Sequence, residues 1–207
     1  VYNGTEQTSA YEDTELYTVA NVKGTNVGNY TVNFTLKDSA NYEWAGASSV
    51  TFAITKATNV WTTAPTLTKT EWTYGDTAAT LNAIAQFGTV DYTAIPTTAG
   101  THTIVVTVAG NDNYTGLEET LTVTIAKQKV TLNATNSSVV YNGTEQTSAY
   151  EDTELYTVAN VKGTNVGNYT VNFTLKDTDN YEWDGDSFVT FAITKATNKW
   201  TTVPALD

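Results

Sequence analysis

The chain has 207 residues and a formal net charge of −12; its ten cationic residues are all Lys, and it contains neither Cys nor Met. Without Cys there are no disulfides, thiolate metal sites or thiol nucleophiles, and stability must come from burial alone. An acidic surface without Arg repels polyanions and lacks the bidentate phosphate fork, which excludes nucleic acid as a partner.

About a fifth of the residues are Thr, and Tyr and Val are frequent, a composition that favours β-strands. No apolar run approaches the roughly 18 to 20 residues of a membrane-spanning helix. The Cys-free, acidic, Thr- and Tyr-rich composition points to an extracellular location, at a bacterial cell surface or secreted. The lack of Met reads as a mature or excised piece.

Residues 1–65 return as residues 140–204 with seven differences. Val1-Tyr2-Asn3-Gly4-Thr5-Glu6 reappears as Val140-Tyr141-Asn142-Gly143-Thr144-Glu145. A weaker repeat lies between the copies. Gly28-Asn29-Tyr30-Thr31-Val32 corresponds to Gly100-Thr101-His102-Thr103-Ile104, and Asn41-Tyr42 to Asn113-Tyr114. The organisation is therefore A–B–A. Module A covers 1–57, a divergent module B 58–127, and a second A 128–196, while 197–207 matches the opening of a further B-type module.

In chain order, Asn3-Gly4 and Asn142-Gly143 read as tight turns. The stretch from Gly28 to Leu36 reads as a strand with one apolar face, as does its copy, where Tyr169, Val171, Phe173 and Leu175 alternate with polar residues. Opening strands are expected over Asn59–Thr70, Lys129–Ser138 and Asn198–Asp207, with Val130, Leu132 and Ala134 in phase. Ala78–Phe87 has some helical character and predicts a short helix. Gly163-Thr164-Asn165-Val166-Gly167 is a turn cluster. Val189-Thr190-Phe191-Ala192-Ile193-Thr194 reads as an alternating closing strand. The fold class is all-β: three small β-sandwich modules, Ig-like or β-grasp-like, arranged end to end as an elongated rod.

The first module lacks an opening strand and the tail supplies a surplus one. One explanation is a cut through a longer array. The other is strand donation, in which Asn198, Trp200, Val203 and Leu206 of one chain complete the deficient module of the next.

Four motifs recur in order: Tyr-Asn-Gly-Thr-Glu-Gln at a module start, Gly-Asn-Tyr-Thr-Val in the long strand, Asn-Tyr-Glu-Trp after it, and Phe-Ala-Ile-Thr-Lys-Ala at the end. Together they resemble the MBG/YDG-type repeats of large bacterial surface proteins. Trp72-Thr73-Tyr74-Gly75-Asp76 in the middle module resembles the YGD variant. The resemblance covers essentially the whole chain. It implies stalk or adhesin-arm modules and carries no catalytic residues.

Candidate sites come from comparing the copies. Asp179, Asp184 and Asp186 stand where the first module has Ala40, Ala45 and Ala47. With Asp177 they form an acidic loop whose oxygens suit Ca2+, although the spacing is not that of an EF-hand. Its plainer reading is a solvated loop. Tyr42 with Trp44, and Tyr181 with Trp183, offer rings for stacking on a glycan; their plainer reading is core. His102 occupies the ring slot of Tyr30 and Tyr169. The acids Glu151, Asp152 and Glu154 repeat Glu12, Asp13 and Glu15 and read as solvating groups rather than a hydrolytic pair.

No enzymatic role is expected. The expected function is an extended stalk or spacer that presents a distal adhesive part. The alternatives are a fibre subunit joined by strand donation and a module binding a glycan, a protein ligand or Ca2+. The expected partners are neighbouring modules of the same or another copy.

Overall fold

The computed structural model describes residues 1–200. Among these residues every regular element is a β-strand and none is a helix, so the all-β expectation holds.

The first module contains β1 (Gln7–Thr8), β2 (Tyr17–Ala20), β3 (Lys23–Gly24), β4 (Gly28–Leu36) and β5 (Ser49–Ile54). Its sheet has the order β2-β4-β5 and is antiparallel throughout, and β1 and β3 form a separate two-stranded ribbon. The alternation in β4 turns Val32 into the core and Thr31 to solvent, as a half-buried strand requires. Gly24 is dictated by Tyr30: a Cβ there would lie 2.3 Å from the ring, and the ring is held by its hydroxyl, which donates to the Asn26 carbonyl at 2.8 Å.

The middle module contains β6 (Trp61–Leu67), β7 (Glu71–Thr73), β8 (Leu81–Ala85), β9 (Val90–Tyr92), β10 (Gly100–Val108) and β11 (Leu117–Ala126). The short helix expected over Ala78–Phe87 is absent. That stretch contains β8, which pairs antiparallel with β6. Leu81, Ala83 and Ala85 alternate with exposed Asn82 and Ile84, so period-two burial overrides the helical propensity of the alanines. The four-stranded sheet has the order β7-β11-β10-β9, and β7 runs parallel to β11. His102 is third in β10, as Tyr30 is third in β4.

The third module contains β12 (Gln128–Val130), β13 (Ser137–Val140), β14 (Gln146–Thr147), β15 (Tyr156–Ala159), β16 (Lys162–Gly163), β17 (Gly167–Leu175), β18 (Tyr181–Trp183) and β19 (Phe188–Thr194). Its main sheet runs β13-β19-β17-β15, with β13 parallel to β19. The expected opening strand Lys129–Ser138 is not continuous. Only Gln128–Val130 and Ser137–Val140 find ladder partners, β18 and β19. Between them Leu132 and Ala134 still pack on the core formed by Val171, Phe173, Val189, Phe191 and Ile193, so the apolar phase was right although the strand is interrupted. The Asn142-Gly143 turn forms as expected, with Gly143 at φ +83° and the Thr144 N–H donating to Asn142 Oδ1 at 2.9 Å.

The two A modules have nearly the same sequence, yet only the third contains a segment 128–139 before its Val-Tyr-Asn-Gly. The effect of that segment on the core is direct. Val189 is 6% exposed and its counterpart Val50 is 40% exposed. Phe173, Leu175 and Phe191 are buried, whereas Phe34, Leu36 and Phe52 are only half-buried. Of the tail proposed for strand donation, Asn198 and Trp200 are in no strand and Trp200 is 77% exposed. Val203 and Leu206 lie outside the described residues.

The chain forms two compact units whose borders do not coincide with the module borders. The first comprises Val1–Thr70, Ala79–Ile95 and His102–Val123, and the second Glu71–Ala78, Pro96–Thr101 and the residues from Thr124 onward. Ile104, Val106, Val108 and Val123 are core residues of the first unit; Trp72, Ile125 and the core of the third module belong to the second. Each unit thus joins one flanking module to part of the middle one.

Candidate functional site: the clasp between modules

In every module the Tyr that follows the opening segment is tied to the closing strand through its backbone. Tyr2 donates its N–H to the Thr55 carbonyl, Tyr74 to Ala126 and Tyr141 to Thr194, at 2.8, 2.8 and 2.9 Å. The Lys that ends each module, Lys56, Lys127 or Lys195, directly follows the accepting residue.

The first junction lies within the first unit. Lys56 Nζ donates to the Asn111 carbonyl at 2.6 Å. Ala57 N–H donates to the Asn113 carbonyl at 2.9 Å, and Thr115 N–H returns a bond to the Ala57 carbonyl at 3.0 Å. The Asn113 side chain receives the Val27 N–H on Oδ1 at 3.0 Å and donates from Nδ2 to Asn26 Oδ1 at 3.2 Å. Tyr2 meets Tyr114 edge-on, with centroids 5.3 Å apart at 84°. Phe87 stacks on Tyr114 at 3.8 Å.

The second junction, within the second unit, repeats this arrangement. Lys127 Nζ donates to the Thr178 carbonyl. Gln128 N–H donates to the Asn180 carbonyl at 2.9 Å, and Ala99 N–H donates to Asn180 Oδ1 at 2.8 Å. Tyr74 meets Tyr181 edge-on at 5.3 Å and 77°. Here the chain continues as a short parallel ladder between β12 and β18, closed by Asp184 N–H donating to the Val130 carbonyl at 2.9 Å. Three hydrogen bonds and a ring contact therefore recur at both junctions. At ~0.5–1.5 kcal/mol for each such interaction, a clasp contributes about 2–6 kcal/mol before the ordering cost.

The loop that presents the Asn is preorganised from within. Asp177 Oδ1 accepts the N–H groups of Asp179 and Asn180, both at 3.1 Å, and Oδ2 accepts from Asn180 Nδ2 at 2.9 Å. The amide of Asn180 holds the Asp177 carboxyl below its ordinary pKa, helped by backbone N–H bonds and by the charge of Lys127, against a smaller opposing effect of burial. Asp38 does the same for Ala40 and Asn41, and its pKa is lowered chiefly by the Asn41 amide. In the middle module Asn111 Oδ1 accepts from the N–H groups of Asn113 and Tyr114 at 2.9 and 2.8 Å.

The residues of the Ca2+ candidate, Asp177, Asp179, Asp184 and Asp186, are placed as follows. Among the described residues no three acidic, His or Cys side chains gather in a way that could hold a metal ion. Both oxygens of Asp177 are occupied by N–H donors, and Asp184 faces Lys129 Nζ at 3.7 Å. The rings considered for glycan stacking are likewise placed. Tyr181 is covered by Tyr74, and Trp183 leans on Tyr156 and packs against the core. In the first module Trp44 leans on Tyr17 while Tyr42 is 54% exposed. Asp152 is a structural acceptor, taking the Val158 N–H at 2.7 Å, as Asp13 takes that of Val19.

The clasp residues Lys56, Asn113, Lys127, Asn180, Tyr2 and Tyr74 were not singled out by the sequence reading. The signal was present: Lys, Asn-Tyr and the opening Tyr are among the few positions shared by all three modules. No family model matches the chain, and no curated protein or solved structure matches it.

Proposed function

We propose that the chain is a structural repeat region of a bacterial surface protein, a stalk or spacer of stacked β modules that holds a distal adhesive part away from the cell. The observation that carries this reading is the recurrence of one clasp at both junctions. Its chemistry resides in residues common to all modules, so it joins unlike neighbours equally well. An array with nearest-neighbour interfaces of this kind gains stability module by module. The resemblance of the module motifs to MBG/YDG-type repeats supports the same role. The modules are Ig-like or β-grasp-like units arranged end to end, and the protein works outside the cell without catalysis.

Pulling the chain from its two ends tests this. Serial modules release separate steps of roughly 200 Å each, the reach of about 70 extended residues less their folded span. A single step releasing the whole chain would overturn the reading.

A further inference from the structure

The seven differences between residues 1–65 and 140–204 are not spread evenly. Three of them, Asp184 for Ala45, Asp186 for Ala47 and Phe188 for Ser49, line one cavity of about 370 Å3 in the third module. Only one other residue of the copied stretch lines it, Val189, which matches Val50. Four differences are left for the other sixty-one positions, so the change is concentrated at this cavity. The opposite wall comes from Thr131, Leu132, Thr135 and Asn136. We propose that the cavity is a binding site for a neutral sugar, with a pyranose ring laid against Phe188 and its hydroxyls shared among Asp184, Asp186 and Asn136.

The wall is held in place before any ligand arrives. Asn136 Oδ1 accepts the Thr190 N–H at 2.8 Å, which leaves its Nδ2 as a donor with no partner among the described residues. The Thr135 carbonyl accepts the Tyr150 hydroxyl at 2.7 Å. Across the cavity, the Asp184 N–H donates to the Val130 carbonyl at 2.9 Å. The Asp184 carboxylate lies 3.7 Å from Lys129 Nζ, whereas Asp186 makes no ion pair or hydrogen bond among the described residues. Phe188 is 46% exposed and alternates with Val189, which is 6% exposed. The ring is therefore on the face of β19 away from the core, and core packing does not account for it.

The mixture of groups selects the ligand. Carboxylates only accept hydrogen bonds, the Asn136 amide nitrogen only donates, and the Thr131 and Thr135 hydroxyls do either. Neighbouring hydroxyls on a sugar both donate and accept, and the C–H face of its ring suits the negative face of an aromatic ring. A Lys or Arg side chain satisfies the two carboxylates but offers no acceptor to Asn136. An acidic sugar is opposed by Asp186 and by the net charge of −12. The site lies within one module and needs nothing from the spacer role, so it fails or holds independently of the pulling result.

An NMR titration of the amides of the 207-residue chain tests this, with glucose, galactose, mannose and N-acetylglucosamine each added to about 50 mM. A monosaccharide of about twelve non-hydrogen atoms binds with a Kd of about 1–10 mM at ordinary ligand efficiency. At least one of the four sugars is expected to shift the amides of Asn136, Asp186 and Phe188 saturably in that range, while Ala47 and Ser49 stay unmoved. The variants Phe188→Ser and Asp186→Ala restore residues with which the twin module folds, and each is expected to weaken binding about tenfold. The absence of a saturable shift with all four sugars overturns the proposal. So do shifts that persist undiminished in both variants. Tighter binding of N-acetyl-lysine amide than of every sugar also overturns it and reassigns the cavity to a basic side chain.

Discussion

Asp177 and Asn180 set the geometry of the second junction from a solvent-facing loop. The carboxylate gathers two backbone N–H groups and the Asn amide, which leaves Asn180 Oδ1 free to take the Ala99 N–H. These bonds favour the ionised acid, so its folded pKa lies below its unfolded value of ~3.9. The stabilisation is fully present above that value and is lost as pH falls through the lower folded pKa. An NMR titration of the Asp177 carboxyl is expected to place its midpoint below the ordinary carboxylate range, with Asn180→Ala moving it back up. An unshifted midpoint in the wild type contradicts this role. The acidity of the loop was legible in the sequence, but its use was not. Clustered Asp residues suggested a cation, whereas the structure engages Asp177 with N–H donors of the backbone and of Asn180 and sets Asp184 opposite Lys129, a distinction set by backbone path rather than by residue type.

Strands are the scale at which the sequence was most legible. Period-two alternation located β4, β10 and β17 with their buried faces, because one apolar face per strand leaves little freedom in register. It failed at β8, where alanines read as helix formers but the cross-strand partner β6 decides. It also overextended the opening strand of the third module, since alternation marks burial and cannot mark a missing hydrogen-bond partner: Leu132 and Ala134 are on the core without a ladder. The same segment creates a controlled comparison. The strands β4 and β5 repeat β17 and β19 almost exactly in sequence but lack the cover that 128–134 provides. Native-state hydrogen exchange is expected to be faster for the amides of β4 and β5 than for the same residues in β17 and β19, because local opening is easier where less apolar surface is buried. Equal protection would show that the segment adds nothing to the sheet it covers.

At the scale of the whole chain, the A–B–A order was visible in the repeats, and the means of joining the modules was not. The clasp is built from a Lys, two backbone N–H groups, an Asn and two Tyr rings drawn from four places in the sequence, which only the fold brings together. Once the junctions are known, Asn-Tyr and Lys-Ala or Lys-Gln become the two halves of a connector. The proposed stalk reading predicts that the chain is extended in solution. Small-angle scattering of the dilute 207-residue chain measures this most directly. Three modules in line, together roughly 100 Å long, give a radius of gyration of about 30 Å. A value near 17 Å, that of a compact domain of this length, would contradict the account.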